Sequence, residues 1–213
     1  MRHDTITVGG DFHPRPDRDI LHLRSAFPSG SLNRREVQFF LAGQALSHID
    51  TPKLTTFHEK SGLTPDRVTR DADALLDYLA SRPQVIGDRF GVCGYCMGGR
   101  MSVVVAGRLP DRVAAAAAFH PGGLVTDNPD SPHLLADRIS ATVYIGGAEN
   151  DPSFTADHAE KLDKAFSVAC VPHRIECYPA AHGFAVPDNP SYDAAADERH
   201  WAAMTETFGA ALN

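Results

Sequence analysis

One cysteine of this sequence stands where a nucleophile would. Cys96 lies at the centre of Gly94-Tyr95-Cys96-Met97-Gly98, which fits the strand-to-helix elbow pattern G-x-S-x-G with cysteine in place of serine. Glycines two residues before and after the nucleophile leave room for a sharp turn that side chains would block. A thiol in such a turn stands at a helix N-terminus, where free N–H groups favour a thiolate and a developing oxyanion. The pattern therefore predicts a reactive thiol, although a tight connection around a buried, inert cysteine would look similar.

Two further residues follow in the order that such an elbow requires. A cysteine nucleophile needs a base within hydrogen-bond reach, and the base needs an acceptor that orients it. Asp151 comes shortly after an apolar strand at 141–145, and His182 comes after a strand that ends at Tyr178. Each residue also has a simpler explanation. Asp151 could be the N-cap of the following helix, and His182 could be a surface residue, since the chain has eleven histidines. The order nucleophile, acid, histidine favours the triad Cys96, Asp151 and His182 over these alternatives.

Strands and helices alternate from about Thr64 onward. Thr64 is a good N-cap, and Pro65 suits the first position of an amphipathic helix. The pattern then predicts strands at 89–95, 113–119, 141–145 and 173–178, and helices at 97–107, 155–168 and 192–212. This alternation is typical of parallel βαβ units with helices on both faces of the sheet. Ligand sites in such sheets lie at the carboxyl ends of the strands, where all three candidate residues fall.

Three motifs together resemble the dienelactone hydrolase family. They are Gly-Tyr-Cys-Met-Gly-Gly-Arg at 94–100, Gly-Gly-Ala-Glu-Asn-Asp-Pro at 146–152 and Ala-His-Gly-Phe-Ala-Val-Pro at 181–187. The resemblance covers about residues 64–210 and implies an α/β-hydrolase fold that cleaves esters or lactones without a metal or organic cofactor. It assigns Cys96 as nucleophile, His182 as general base and acid, and Asp151 as the residue that orients it. The backbone N–H of Met97 would be one donor to the oxyanion, and the acyl-enzyme would be a thioester.

The substrate pocket is expected to be apolar. Its predicted walls are Tyr95, His120, Phe154 and Phe184, although packing in the core explains each of them equally well. Dienelactone-cleaving members of the family bind a substrate carboxylate through arginine, whereas the segment 184–187 after the candidate histidine is apolar. The expected substrate is therefore a small neutral ester or lactone.

The N-terminal region departs from the rest of the chain. We expect 1–213 to form a single α/β-hydrolase domain in which residues 1–63 are atypical and lack or replace the usual first strands. Two prolines lie among charges at 11–19, which indicates a loop, and Arg34 to Leu46 is predicted to be helical.

Composition excludes several classes of function. The net charge of −7 gives no basic patch for nucleic acid or anionic membranes. The longest apolar run, at 113–119, is too short to span a bilayer, and the N-terminus shows no apolar signal segment. Four cysteines do not make a disulfide framework. These features predict a cytoplasmic protein with free thiols, either a monomer or a homodimer.

Two other classes of protein stay open at this point. Cys93 and Cys96 form a C-x-x-C pair at a strand–helix junction, as in redox sites, although Cys93 would share a strand face with Tyr95. Alternatively, the altered N-terminus would make the chain a non-catalytic member of the fold. A zinc site is disfavoured because Cys170 and Cys177 lie farther apart than usual ligand pairs.

Overall fold

The fold is an α/β sheet with consecutive parallel strands. A computed structural model describes residues 64–81, 87–187 and 189–212, together with the backbone of a short strand at 36–39. The strands are β1 Glu36–Phe39, β2 Phe90–Tyr95, β3 Val113–Phe119, β4 Thr142–Ala148 and β5 His173–Tyr178. The helices are α1 Pro65–Ala80, α2 Met97–Arg108, α3 Ala156–Val168 and α4 Ala194–Ala211, with a 3₁₀ helix at Pro132–Arg138. All neighbouring strands pair in parallel, in the order β1-β2-β3-β4-β5.

Strand β1 corrects one expectation. The segment Arg34 to Leu46 was predicted to be helical, whereas Glu36–Phe39 pairs in parallel with residues 91–94 of β2. Val37 and Phe39 alternate with polar residues, which is the period of a strand, and pairing with β2 satisfies backbone groups of both strands. The other predictions for residues 1–63, including the atypical character of that region, lie outside the described residues.

Helices cover the sheet on both faces, as the alternation predicted. On one face, here called the α2 face, α2 packs against β2 and β3 with α1 and α3 beside it, and the core includes Val92, Val104 and Phe166. On the opposite α4 face, the core includes Phe119 and Phe208. Strand β3 is buried along its whole length because helices cover both of its sides, which explains its unbroken apolar run. None of the described helices is long and apolar enough to cross a bilayer.

Most element boundaries agree with the prediction, and β4 is the exception. Thr64 and Thr155 are the N-caps of α1 and α3. Strand β4 continues through Gly146 and Gly147 to Ala148, beyond the predicted end at residue 145. A Cβ on Gly146 would lie 2.8 Å from the ring of Tyr178 and 2.9 Å from that of Phe119, so this glycine makes room for aromatic packing. Glycine here serves the core and does not mark a turn.

Candidate active site

The segment around Cys96 forms a strained elbow between β2 and α2. Cys96 has φ 53° and ψ −120°, an unusual conformation for a residue with a side chain. A Cβ on Gly94 would lie 2.2 Å from the backbone C and O of Gly98, so only glycine fits at that point of the turn. The N–H of Cys96 donates to the carbonyl of Phe119 at 3.0 Å, which ties the elbow to β3. Cys96 is a half-buried free thiol, and its side chain makes no capping hydrogen bond to the first N–H groups of α2.

Asp151 and His182 form a hydrogen-bonded pair at the same edge of the sheet. Nδ1 of His182 lies 2.6 Å from Oδ2 of Asp151, whose side chain is 3% exposed. The other carboxylate oxygen, Oδ1, accepts hydrogen bonds from the backbone N–H and the hydroxyl of Ser153 at 2.8 and 2.6 Å. The alternative role for Asp151 as a helix N-cap is wrong, because Thr155 caps α3. Ser153 therefore fixes the carboxylate so that one oxygen faces the histidine.

The electrostatics of this pair favour a charged histidine. Burial alone would lower the pKa of His182, but hydrogen bonds and charges from Asp151 and Cys96 outweigh it and raise the pKa to about 10. Burial alone would raise the pKa of Asp151, but hydrogen bonds from His182 and Ser153 hold it below the usual value. At neutral pH the carboxylate is therefore ionised, and His182 is an imidazolium that interacts with the thiol of Cys96.

The hydroxyl of Tyr95 is held by a second histidine that the sequence did not indicate. Tyr95 Oη lies 3.0 Å from Nε2 of His200, a fully buried residue of α4. Nδ1 of His200 lies 2.5 Å from the backbone carbonyl oxygen of Asp197. A carbonyl oxygen can only accept a hydrogen bond, so Nδ1 carries a proton. Both ring nitrogens of His200 therefore have a hydrogen-bond partner, and the partner of Nε2 is the hydroxyl of Tyr95. The only signal in the sequence is a histidine on the buried side of an amphipathic helix, 105 positions away from Tyr95.

The other predicted pocket residues fall into two groups. His120 lies between His182 and Phe184, since its ring centroid is 4.8 Å from that of His182 and 5.1 Å from that of Phe184. The ring of Tyr95 lies 5.8 Å from that of His120. Phe154 packs instead against Gly147 and belongs to the core on the α2 face. The structure therefore places His120 beside His182, with Tyr95 and Phe184 packed against His120.

These groups have the chemistry of nucleophilic catalysis, in which a thiol, an imidazole and a carboxylate act in sequence. Within the described residues, no group of three or more histidine, cysteine or acidic side chains could hold a metal ion. Cys93, by contrast, is 2% exposed and packs in the core on the α4 face.

Comparison with known proteins identifies a family model that matches most of this chain. The family model described as "Dienelactone hydrolase family" matches residues 40–212. A protein of Synechocystis sp., provisionally named carboxymethylenebutenolidase, is 30% identical over 145 residues, which are 66% of this chain and 58% of that protein. A protein of Escherichia coli (strain K12) with the same provisional name is 31% identical over 180 residues, 80% of this chain and 63% of that one. The chain thus spans about three fifths of the length of these curated relatives.

Two solved structures with the same architecture are named dienelactone hydrolase or dienelactone hydrolase-like. A provisionally named dienelactone hydrolase from Klebsiella pneumoniae subsp. pneumoniae superposes with a TM-score of 0.69 at 22% identity, covering 86% of this chain and 89% of that one. A dienelactone hydrolase-like promiscuous phosphotriesterase from metagenomic libraries gives a TM-score of 0.63 at 26% identity, covering 76% and 69%. These superpositions and the parallel sheet identify the α/β-hydrolase fold. Because the family model matches residues 40–212, which are most of this chain, the chain belongs to the dienelactone hydrolase family.

Proposed function

We propose that this protein hydrolyses a small carboxylic ester or lactone through a thioester on Cys96. His182 acts as general base and acid, and Asp151 orients it. The observation that carries the proposal is the alignment of three groups at one edge of the sheet: the elbow thiol, the imidazole that interacts with it, and the carboxylate 2.6 Å from that imidazole. Membership of a family named for lactone hydrolysis supports the same reaction class.

The first half of the reaction forms the acyl-enzyme. The imidazolium of His182, which its raised pKa maintains at neutral pH, stabilises a thiolate on Cys96. The thiolate attacks the ester carbonyl carbon, and the N–H of Met97 at the start of α2 donates a hydrogen bond to the resulting oxyanion. The C–O bond then breaks, His182 protonates the leaving oxygen, and the acyl group stays on sulfur as a thioester.

The second half releases the acid. His182, now neutral, takes a proton from a water molecule as the water oxygen attacks the thioester carbonyl. The C–S bond breaks and the sulfur leaves as a thiolate, which again faces the imidazolium of His182. Asp151 keeps Nδ1 protonated throughout, so Nε2 handles the proton in both halves.

We further propose that the acyl group is uncharged. The charges that act most strongly on His120, Asp151 and His182 come from one another, Cys96 and His200, and no arginine or lysine of the described residues is among them. A substrate carboxylate beside ionised Asp151 would be destabilised by its own desolvation and by the like charge. A reduced thiol suits the cytoplasm, where we propose that the protein works.

The test compares two cysteines three residues apart. Cys96→Ala is expected to lower p-nitrophenyl butyrate hydrolysis by about 10³-fold or more, since the nucleophile is lost. Cys93→Ala is the matched control and is expected to retain most of the activity, because its thiol packs in the core on the α4 face. Equal effects of the two substitutions would refute the assignment.

The same pair of thiols tests the redox alternative. Mild oxidation followed by mass spectrometry would detect a disulfide between Cys93 and Cys96. We expect none, because Cys93 is buried against α4, whereas a disulfide that forms readily and reversibly would support a redox function.

A further inference from the structure

His120 is an anomaly of the sheet edge. It follows the last residue of β3, is 1% exposed, and has φ 36°, which lies in the region that residues with side chains rarely adopt. Its backbone N–H donates to the carbonyl of Gly146 at 2.7 Å. Neither ring nitrogen, however, has a hydrogen-bond partner among the described residues, and both are buried.

Such a residue is costly to keep unless a ligand uses it. A buried polar group without a partner destabilises a fold, and a strained backbone adds to that cost. An apolar aromatic ring would fill the same space without either nitrogen. The ring of His120 lies 4.8 Å from that of His182, so whatever pairs with its nitrogens lies beside the proposed general acid.

The charge state of His120 fits a donor role. Burial, with the nearby charges of His182 and His200, lowers the pKa of His120 to about 3, so the ring is neutral at physiological pH. A neutral imidazole carries one N–H, and it can donate that hydrogen bond to an oxygen on which negative charge develops. It does not compete with His182 for the proton.

Thiol chemistry creates a need for such a donor. When the tetrahedral intermediate collapses, it expels either the thiolate or the alkoxide. A thiol has a pKa of about 8.5, while an alkyl alcohol is about as weak an acid as water, so the intermediate favours return to the thiolate. Productive collapse therefore depends on stabilising the leaving oxygen.

We propose that His120 is a further catalytic residue, which donates a ring N–H hydrogen bond to the leaving-group oxygen while His182 protonates that oxygen. This inference rests on the proposed ester hydrolysis. In the step, the C–O bond breaks, its electron pair goes to oxygen, and the proton of His182 Nε2 moves to that oxygen. The proton of His120 stays on its own nitrogen.

Access to the ring requires a side-chain rotation on binding. Asp151 holds the ring of His182 in place at 2.6 Å, so it is the ring of His120 that turns towards the substrate, and among the described residues it has no hydrogen bond that this rotation would break. Catalytic hydrogen bonds often tighten only when substrate is bound, and rotamer changes on binding are common.

The experiment compares two esters that share an acyl group and differ in the leaving group. The substrates are p-nitrophenyl butyrate, whose leaving group is good, and ethyl butyrate, whose leaving group is poor. In His120→Phe, kcat/KM is expected to fall about tenfold to hundredfold more for ethyl butyrate than for the nitrophenyl ester. This difference corresponds to the loss of one hydrogen bond to a charged group. His120→Asn and His120→Gln, which keep a side-chain N–H, are expected to regain part of that loss.

Thermal unfolding provides the second readout. Because the ring nitrogens have no partner in the described chain, His120→Phe is expected to unfold at the same temperature as the wild type or above it. A clear decrease would mean that the nitrogens are paired without substrate, which would overturn the proposal. Equal losses on both esters, or full activity of His120→Phe on ethyl butyrate, would also overturn it. If the wild type cleaves neither ester, the proposed function itself fails.

Discussion

The turn at Gly94 allows a quantitative test of the elbow. In Gly94→Ala the new Cβ would lie 2.2 Å from the backbone C and O of Gly98, whereas carbon atoms in contact are about 3.5–4.0 Å apart. The colliding atoms belong to the first turn of α2 and not to a flexible side chain. The helix itself, or the end of β2, therefore has to move.

The expected loss follows from this collision. Overpacking costs about 1–3 kcal/mol, and a collision with backbone belongs at the upper end, so we expect about 3 kcal/mol less free energy of unfolding. For a chain of this size, such a loss lowers Tm by about 6–12 °C. Movement of the elbow by about 1 Å shifts Cys96 relative to His182, and we expect ester hydrolysis to fall about 10²-fold.

A second glycine of the same sheet edge is the control. In Gly122→Ala the new Cβ would lie 3.4 Å from Ser153, which is an ordinary contact, so stability should change by no more than about 0.5 kcal/mol. Thermal unfolding by circular dichroism and nitrophenyl ester hydrolysis are measured on the same preparations. If Gly94→Ala melts within about 2 °C of the wild type and keeps most of its activity, the turn is looser than this reasoning requires.

Three further predictions concern the groups around the elbow. Asp151→Asn removes the acceptor that orients His182. Steady-state kinetics are therefore expected to show kcat lower by about 10²–10⁴-fold with a smaller change in KM. A change in KM alone would contradict the orienting role. The folded-state pKa of His182 is raised from 6.5 to about 10, so its stabilising effect is fully present below about pH 6.5 and is lost as pH rises toward 10. Urea unfolding between pH 6 and 10 should show this loss in the wild type and less of it in His182→Gln, and parallel curves would be contrary evidence. Tyr95→Phe leaves Nε2 of buried His200 without its hydrogen-bond partner and should cost about 1–3 kcal/mol of unfolding free energy. Tyr192→Phe, which breaks a surface hydrogen bond, should cost little, and equal costs would argue against the buried hydrogen bond.

The local chemistry of the site could be predicted from the sequence because it is encoded locally. The glycines around Cys96 allow only a sharp turn, and Asp151 and His182 follow strands whose carboxyl ends meet at one edge in a parallel sheet. The strand and helix alternation from Thr64 onward likewise gave the layers of the fold. The residues and their spacing carried this information without knowledge of distant contacts.

The remaining features depend on contacts between distant segments. Strand β1 was assigned to a helix because its four residues show their preference only when they pair with β2. The hydrogen bond from Tyr95 to His200 joins residues 105 positions apart, and periodicity cannot distinguish a buried histidine from a surface one. That neither ring nitrogen of His120 has a partner among the described residues became visible only when the rings around it were placed.

The most direct measurement is the site of acylation. The protein is mixed with p-nitrophenyl butyrate, quenched in acid within milliseconds, and analysed by intact mass and peptide mapping. We predict one butyryl group per chain, carried as a thioester by the peptide that contains Cys96, and none in Cys96→Ala. A butyryl group on another residue, or hydrolysis in which no acylated chain forms, would contradict the claim that this thiol is the nucleophile.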